Sequence, residues 1–424
     1  MRHDHRSRFL CAILLCATSL ANAANAQEKT PACTVSRGAL LDMVLEDGTY
    51  GTVFPVEMVS RPDSVLVLGP GGPTNARGRR IHLTGEDSST AGFLLTNQRR
   101  TVTRIPTPPG LPTARYFRAR ASESGWEAVF FVPDRDTVPG GRMFDDGTFW
   151  YGRLLGGRWR DVERVGRVQA ANVLRPNSSG LIMSDGELRF AVFFGDQSSP
   201  GGVLLWHRTD SGRWRVDTLP ARQGPLSVTA APDGEELGDA RLLAVVANWE
   251  AGDFDAGSLV AMDASTPAAS HVVRTSALES MNEPMEYMIG GVLHTSWWEF
   301  GRGEPPALWY QALDPRKKNT REGTRRVASN VNEFTFFAVP EGTQRRLVWA
   351  YRSNSTPDSA EVAVVANGEP EVIGRVAFPF GFMTNGVASG DRSFILATTP
   401  RPIPGGGPSA SRTLELRVNC RGGT

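Results

Sequence analysis

Short runs of apolar, β-branched and aromatic residues recur along the chain, each bounded by Gly, Pro, Asn or Asp. The strongest are SVLVLG (64), WEAVFFV (126), ELRFAVFF (187), RLLAVVANW (241), VLHTSWWEF (292), RLVWAYRS (346) and RSFILATT (392), with start-to-start spacings of 62, 61, 54, 51, 54 and 46 residues. Runs this short, with turn formers between them and no helical period, read as β-strands. Before each lies another candidate strand, and these read FPVEMVS, RYFRARAS, GLIMSD, LSVTAAPD, MEYMIGG, FTFFAVPE and FMTNGVAS. A third strand follows each Gly/Pro-rich loop, as in TFWYGRLL (148), VLLWHRTD (203), ALWYQALD (307) and TLELRVNC (413). A fourth often follows a tight turn, as in WRDVERV (159), WRVDTLP (214), HVVRTS (271) and EVIGRV (371).

Four short strands repeated at a period of about 55 residues predict an all-β fold, a seven-bladed β-propeller of four-stranded antiparallel blades, with six or eight blades as the neighbouring solutions. The last unit (381–420) lacks a fourth strand, because its third ends at Cys420. The segment at 35–46 precedes the first complete unit and is free to supply it. That pairing closes the ring and removes the exposed sheet edges.

The first 26 residues stand outside this plan. Arg2, Arg6 and Arg8 precede the 13-residue apolar run 9–21, and small-residue cleavage patterns follow at Ala21-Asn22-Ala23 and Ala24-Asn25-Ala26. This predicts a signal peptide over 1–26, a single propeller domain over 27–424, and a secreted or periplasmic destination. No later stretch is long and apolar enough to span a bilayer. Removal of 1–26 leaves Cys33 and Cys420 as the remaining cysteines. Two lone cysteines in an oxidising compartment, at the two ends of a closing ring, predict a disulfide. The 46 basic residues against 45 acidic ones leave no field to hold nucleic acid. No oligomerisation element is visible, so a monomer is expected.

The hairpin VLLWHRTDSGRWRVDTL (203–219) places Asp210, Gly212 and Trp214 as an Asp-box does, in a shorter turn. TFWYGRLLGGRWRDVERV (148–165) keeps Trp159 with Gly156-Gly157 in place of the Asp. The chain thus resembles the secreted, sialidase-like propellers with Asp-box repeats. In that family the box is structural, so the resemblance implies fold and no chemistry. The family's chemistry uses three Arg on a carboxylate, a Tyr–Glu nucleophile pair and an Asp acid/base. Here only the second innermost strand carries Arg (Arg115, Arg118, Arg120), and Arg104-Ile105-Pro106 falls on an outer strand. The Arg triad is therefore absent.

Other chemistry is thin. The four mature His are scattered, no Gly-x-Ser-x-Gly elbow occurs, and GPGGPTNARGRR (69–80) lacks the Lys-Ser/Thr of a phosphate loop and reads as a connection. No metal site is expected, with Ca²⁺ on Asp253 and Asp255 as the one option. The loops at 133–147, 248–257, 297–306 and 351–360 nominate Trp249, Glu250, Trp297, Trp298, Glu299, Tyr351 and Arg352, with Arg115 and Asn332, as ligand-binding residues. Aromatic faces beside charges suit sugar rings or protein hot spots. Glu283, Glu286 and Glu333 lead into neighbouring innermost strands and are the candidate acids. The expected function is an exported propeller that binds a glycan or protein on its loop face without catalysis. The alternatives are a sialidase-like or other glycoside hydrolase or lyase using those acids at the channel mouth, and a scaffold subunit of an envelope complex.

Overall fold

The computed structural model describes residues 33–42, 50–53, 57–74, 90–96, 101–111, 116–134, 145–171, 182–184, 187–194, 202–209, 211–219, 226–230, 242–250, 253–263, 271–275, 280–301, 304–313, 323–378, 383–398 and 412–420. Among these the regular structure is all β-strand. After β1 (Cys33–Asp42) and β2 (Tyr50–Val53), a first unit comprises β3 (Glu57–Arg61), β4 (Ser64–Thr74), β5 (Thr90–Thr96) and β6 (Thr101–Pro106). The second comprises β7 (Tyr116–Ala121), β8 (Trp126–Pro133), β9 (Asp145–Leu155) and β10 (Arg158–Ala171); the third, β11 (Ile182–Ser184), β12 (Glu187–Phe194), β13 (Gly202–Arg208) and β14 (Trp214–Leu219). The fourth comprises β15 (Leu226–Ala230), β16 (Leu242–Glu250), β17 (Asp253–Asp263) and β18 (His271–Thr275); the fifth, β19 (Ser280–Ile289), β20 (Val292–Gly301), β21 (Glu304–Leu313) and β22 (Arg325–Ser329). The sixth comprises β23 (Val331–Glu341), β24 (Gln344–Ser353), β25 (Ser359–Ala366) and β26 (Glu369–Ala377), and the last β27 (Met383–Gly390), β28 (Ser393–Thr398) and β29 (Arg412–Cys420).

Within each unit consecutive strands pair antiparallel. The second and third units join into one sheet through a single pairing, Ala171 with Phe194. The innermost strands neighbour one another in sequence order: β3 lies against β7, β15 against β11 and β19, and β23 against β19 and β27. β27 in turn lies against β3, so the last unit meets the first and the sheets form a propeller. β2 is an addition that the sequence pattern did not predict: it pairs with the Gly-rich end of β4, so Gly71–Thr74 are strand and not connection.

The predicted ring closure is present. β1 supplies the outermost strand of the last unit, pairing with β29 from Cys33↔Cys420 to Asp42↔Arg412. Cys33 and Cys420 are bonded, joining positions 387 residues apart. Val35 of β1 also packs tightly against β26, where a Cβ on Gly374 would lie 2.7 Å from the valine methyl.

Because each blade is covered on both faces, both sides of its central strands are apolar. Phe337, Val348, Val362, Phe394 and Leu416 fill the seam between the sixth and last units. Leu308, Tyr310, Phe336, Trp349 and Tyr351 fill that between the fifth and sixth. The hairpin tryptophans do related work. Trp159 donates from Nε1 to the Pro106 carbonyl at 2.7 Å, and Trp214 donates to Glu163 Oε1 at 2.9 Å, each reaching back to the preceding unit. The turn before Trp159 needs positive φ at Gly156 (56°) and Gly157 (78°), a geometry that matches the strand twist and favours glycine.

In the chain-entropy description a cross-link over so long a loop is worth on the order of 4–5 kcal/mol. Reduction, or Cys33→Ala with Cys420→Ala, is expected to lower unfolding stability by about 3–5 kcal/mol, read as a fall in the denaturant midpoint. An unchanged midpoint would contradict a ring closure stabilised by this bond.

Candidate functional site

The rim where innermost strands begin and second strands end holds Glu333, Arg352, Trp298 and Asn332 of the residues nominated from sequence. At the sixth unit a bulge between Val331 and Glu333 displaces Asn332 from the β23–β24 ladder and sets Glu333 opposite Arg352. Arg352 Nη1 lies 3.2 Å from Glu333 Oε2, and both side chains are 9% exposed. The same carboxylate oxygen accepts the Met383 N–H at 2.8 Å, tying β23 and β24 to β27 of the last unit. Arg352 Nη2 donates to the Pro357 carbonyl, and its guanidinium lies 5.9 Å from the Phe378 ring centroid. Burial raises the Glu333 carboxyl above the usual range, although the Met383 N–H and Arg352 both pull it down.

On the other side of the sixth unit, Trp298 is half-buried at the end of β20. Its Nε1–H donates to the Val331 carbonyl at 2.9 Å, and its ring meets Phe334 edge-on at 5.8 Å. Asn332 is the next residue, and its Oδ1 has no hydrogen-bond partner. Asn330 precedes it in a left-handed conformation (φ 59°), held by Asn354, whose Nδ2 donates to Asn330 Oδ1 at 2.9 Å.

Several nominated residues take other roles. Trp297 is fully buried and Tyr351 is 1% exposed, so both are core residues with no face left for a ligand. Glu299 is also fully buried. The segment 248–257 is a hairpin and not a long loop, since Glu250 pairs with Asp253 directly. Likewise Gly301 pairs with Glu304, which shortens the connection expected at 297–306. Trp249, Glu250, Asp253 and Asp255 therefore lie on β16 and β17, with side chains outside the described residues, as do those of Glu283 and Glu286 on β19. Arg115 lies outside the described residues altogether. Among the described residues no three His, Cys, Asp or Glu gather as a metal site would require.

Arg104 is on β6, the outermost strand of the first unit, as the sequence predicted. Arg118 is buried on β7, and Arg120 is engaged by Glu127 at 2.8 Å. Among the described residues Tyr151 is hydrogen-bonded to Glu127 and Tyr351 to Glu361. In both, burial first and the neighbouring carboxylate second raise the phenol pKa well above its ordinary value, which stabilises the neutral hydroxyl rather than a nucleophilic phenolate.

Sequence reasoning missed a polar seam between the fifth and sixth units. His294 Nδ1 and Tyr310 Oη are 2.8 Å apart. Trp349 donates to Ser296 Oγ at 2.8 Å, and Ser296 donates onward to the Trp309 carbonyl. Burial lowers the His294 pKa to about 4 and pushes Tyr310 up to about 12. The period-2 placement of His294 and Ser296 on one strand face was the available signal.

No protein-family model matches the sequence, and no curated protein matches it. Among solved structures, an oligogalacturonate lyase in complex with manganese aligns at a TM-score of 0.49 and 12% identity over 91% of this chain and 94% of that one. The Trypanosoma rangeli sialidase with the inhibitor DANA aligns at 0.42 and 12% identity, over 80% and 59%. A neuraminidase-like protein from the A/bat/Guatemala isolate aligns at 0.45 and 9% identity, over 80% and 92%. Likenesses this distant carry no chemistry to this chain, and the fold stands on the strand pairings above.

Glu333→Gln is expected to cost about 2–4 kcal/mol by leaving Arg352 buried without its counter-ion. Arg352→Met combined with it should cost clearly less than the two single changes added, in a denaturant-based double-mutant cycle; additive costs would contradict a coupled pair. For His294 the folded pKa lies below the unfolded one. The unfolded chain thus binds the extra proton, and stability is complete above about pH 6.5 and falls as pH drops towards 4. Unfolding free energies between pH 6.5 and 5 should flatten in His294→Gln, and an unchanged slope would contradict it.

Proposed function

We propose that this chain is an exported seven-bladed propeller, one domain over 27–424, that holds a ligand on the rim between its fifth and sixth blades. The observation that carries the reading is the anchoring of Trp298 on Val331, at the β23 bulge that carries Asn332. The Trp298 ring is pinned through its N–H to the Val331 carbonyl and meets Phe334 edge-on, and the residue after Val331, Asn332, has a buried Oδ1 that lacks a hydrogen-bond partner. Native structures seldom leave such a group unsatisfied, and a water that enters to complete it can bridge this buried oxygen to a ligand hydroxyl on the rim. Flat rings stacked on sugar C–H faces, with an amide alongside to read hydroxyls, make an oligosaccharide the first ligand class, and a protein loop the second. The disulfide is compatible with export. No helix among the described residues is long and apolar enough to cross a membrane.

A second reading, a glycoside hydrolase or lyase, draws on one observation. Burial keeps the Glu333 carboxyl raised at the same rim, as a general acid requires. Against it, that carboxylate is already engaged by Arg352 and the Met383 N–H.

The test is saturation-transfer NMR on residues 27–424 with neutral and acidic oligosaccharides, following anomeric signals in the same tube. The binding reading predicts transfer without turnover, reduced about tenfold or more in Trp298→Ala, a loss of roughly 1.4 kcal/mol. Turnover that vanishes in a Glu333→Gln variant shown by circular dichroism to be folded at the assay temperature would replace it with the hydrolase reading. Silence in both channels would contradict glycan binding and turn the search to protein partners.

A further inference from the structure

The two faces of β20 meet different neighbours. Side chains alternate along a strand, and His294, Ser296 and Trp298 share the face that meets the sixth unit. Their polar groups bond to protein partners: His294 to Tyr310, Ser296 to Trp349 and the Trp309 carbonyl, and Trp298 to the Val331 carbonyl. Thr295, Trp297 and Glu299 therefore point the other way, towards the fourth unit, whose strands β15, β16 and β17 lie against β19. All three are fully buried, as is Gln311, which stands directly opposite Thr295 on β21. Trp309 stands opposite Trp297, so the seam is lined on this side by polar and amphipathic groups. Neither Thr295 Oγ1 nor Trp297 Nε1 has a hydrogen-bond partner among the described residues.

We propose that the seam between the fourth and fifth blades is a water-binding site, in which internal water joins Trp297 Nε1–H to Thr295 Oγ1. A buried N–H or hydroxyl left unpaired costs more than an ordinary hydrogen bond gains, so two such groups at neighbouring positions of one face call for a ligand. Alternate residues of a strand stand about 7 Å apart, a gap that one or two waters fill. The chemistry of the groups selects water over an ion. The Trp297 N–H is a donor only, which a cation cannot use, and no three His, Cys, Asp or Glu gather among the described residues. An anion would meet the buried Glu299 carboxylate on the same face. Water both donates and accepts, so it serves the indole and the hydroxyl together. The fifth blade is thereby asymmetric: protein hydrogen bonds close its face towards the Trp298 rim, and water closes the opposite face.

The experiment is oxygen-17 relaxation dispersion of the solvent around residues 27–424. It counts long-lived internal waters and is blind to the exchanging Thr295 hydroxyl proton. Thr295→Val combined with Trp297→Phe removes the hydroxyl and the N–H together, and the apolar space left by the smaller ring stays dry. In a double variant with an unchanged circular dichroism spectrum, the dispersion amplitude should fall by about one or two waters. An equal amplitude in the two folded proteins would overturn the proposal. A crystal structure of the unaltered protein decides the matter even where the double variant does not fold. Ordered water within about 3.2 Å of both Trp297 Nε1 and Thr295 Oγ1, singly or as a two-water chain, is the expected result. Both groups bonded directly to protein atoms would overturn it.

Discussion

A propeller built from one chain has one weak place, the seam where the last blade must meet the first. Every other junction is crossed by continuous chain, whereas this one depends on β1 and β29 finding each other across nearly the whole sequence. The eight paired positions of that ladder and the Cys33–Cys420 bond resolve the problem together. Closure has a second effect. β1 packs on β26 through Val35, and β27 lies against both β3 and β23, so the last blade is wedged between its two neighbours. The Met383 N–H that helps hold Glu333 sits at the start of β27. The rim geometry is therefore downstream of ring closure.

The blades are held to each other by two kinds of contact. Apolar side chains fill the seams, and a small number of polar groups lock the register. Trp159 and Trp214 reach back one unit through their ring N–H groups, and Trp349 does so through Ser296. Arg61 performs the same task on the first seam, donating to the Ser122 and Gly125 carbonyls at 2.9 and 3.0 Å while its guanidinium lies over Trp126. Such groups contribute modestly one by one, but an unmade bond at a dry seam would cost more than the bond gains.

Much of this plan was legible in the sequence because strand alternation and turn residues are local signals. The innermost strands, the Gly156-Gly157 hairpin, the missing fourth strand and the outer position of Arg104 all follow from them. The rim was less legible. Both faces of a blade are buried, so an aromatic at a strand end reads the same whether it points into a seam or over the rim. Trp297 and Trp298 are adjacent and differ only in which face they occupy, and Tyr351 lies in the core for the same reason. The Glu333–Arg352 pairing depends on the bulge at Asn332, and a bulge shifts register by one residue with little trace in composition. The tight hairpin after Glu250 was likewise hidden, since Gly-rich acidic segments read equally as loops.

The central claim, that ring closure sets the geometry of the Glu333 rim, is tested most directly by amide hydrogen exchange on the oxidised and reduced protein. The account predicts that reduction lowers protection along β1 and β29 and also at the Met383 amide, while β8 and β9, distant in the ring, keep theirs. Protection at Met383 that survives loss of protection in β1 would contradict it, because the rim would then stand without the closure.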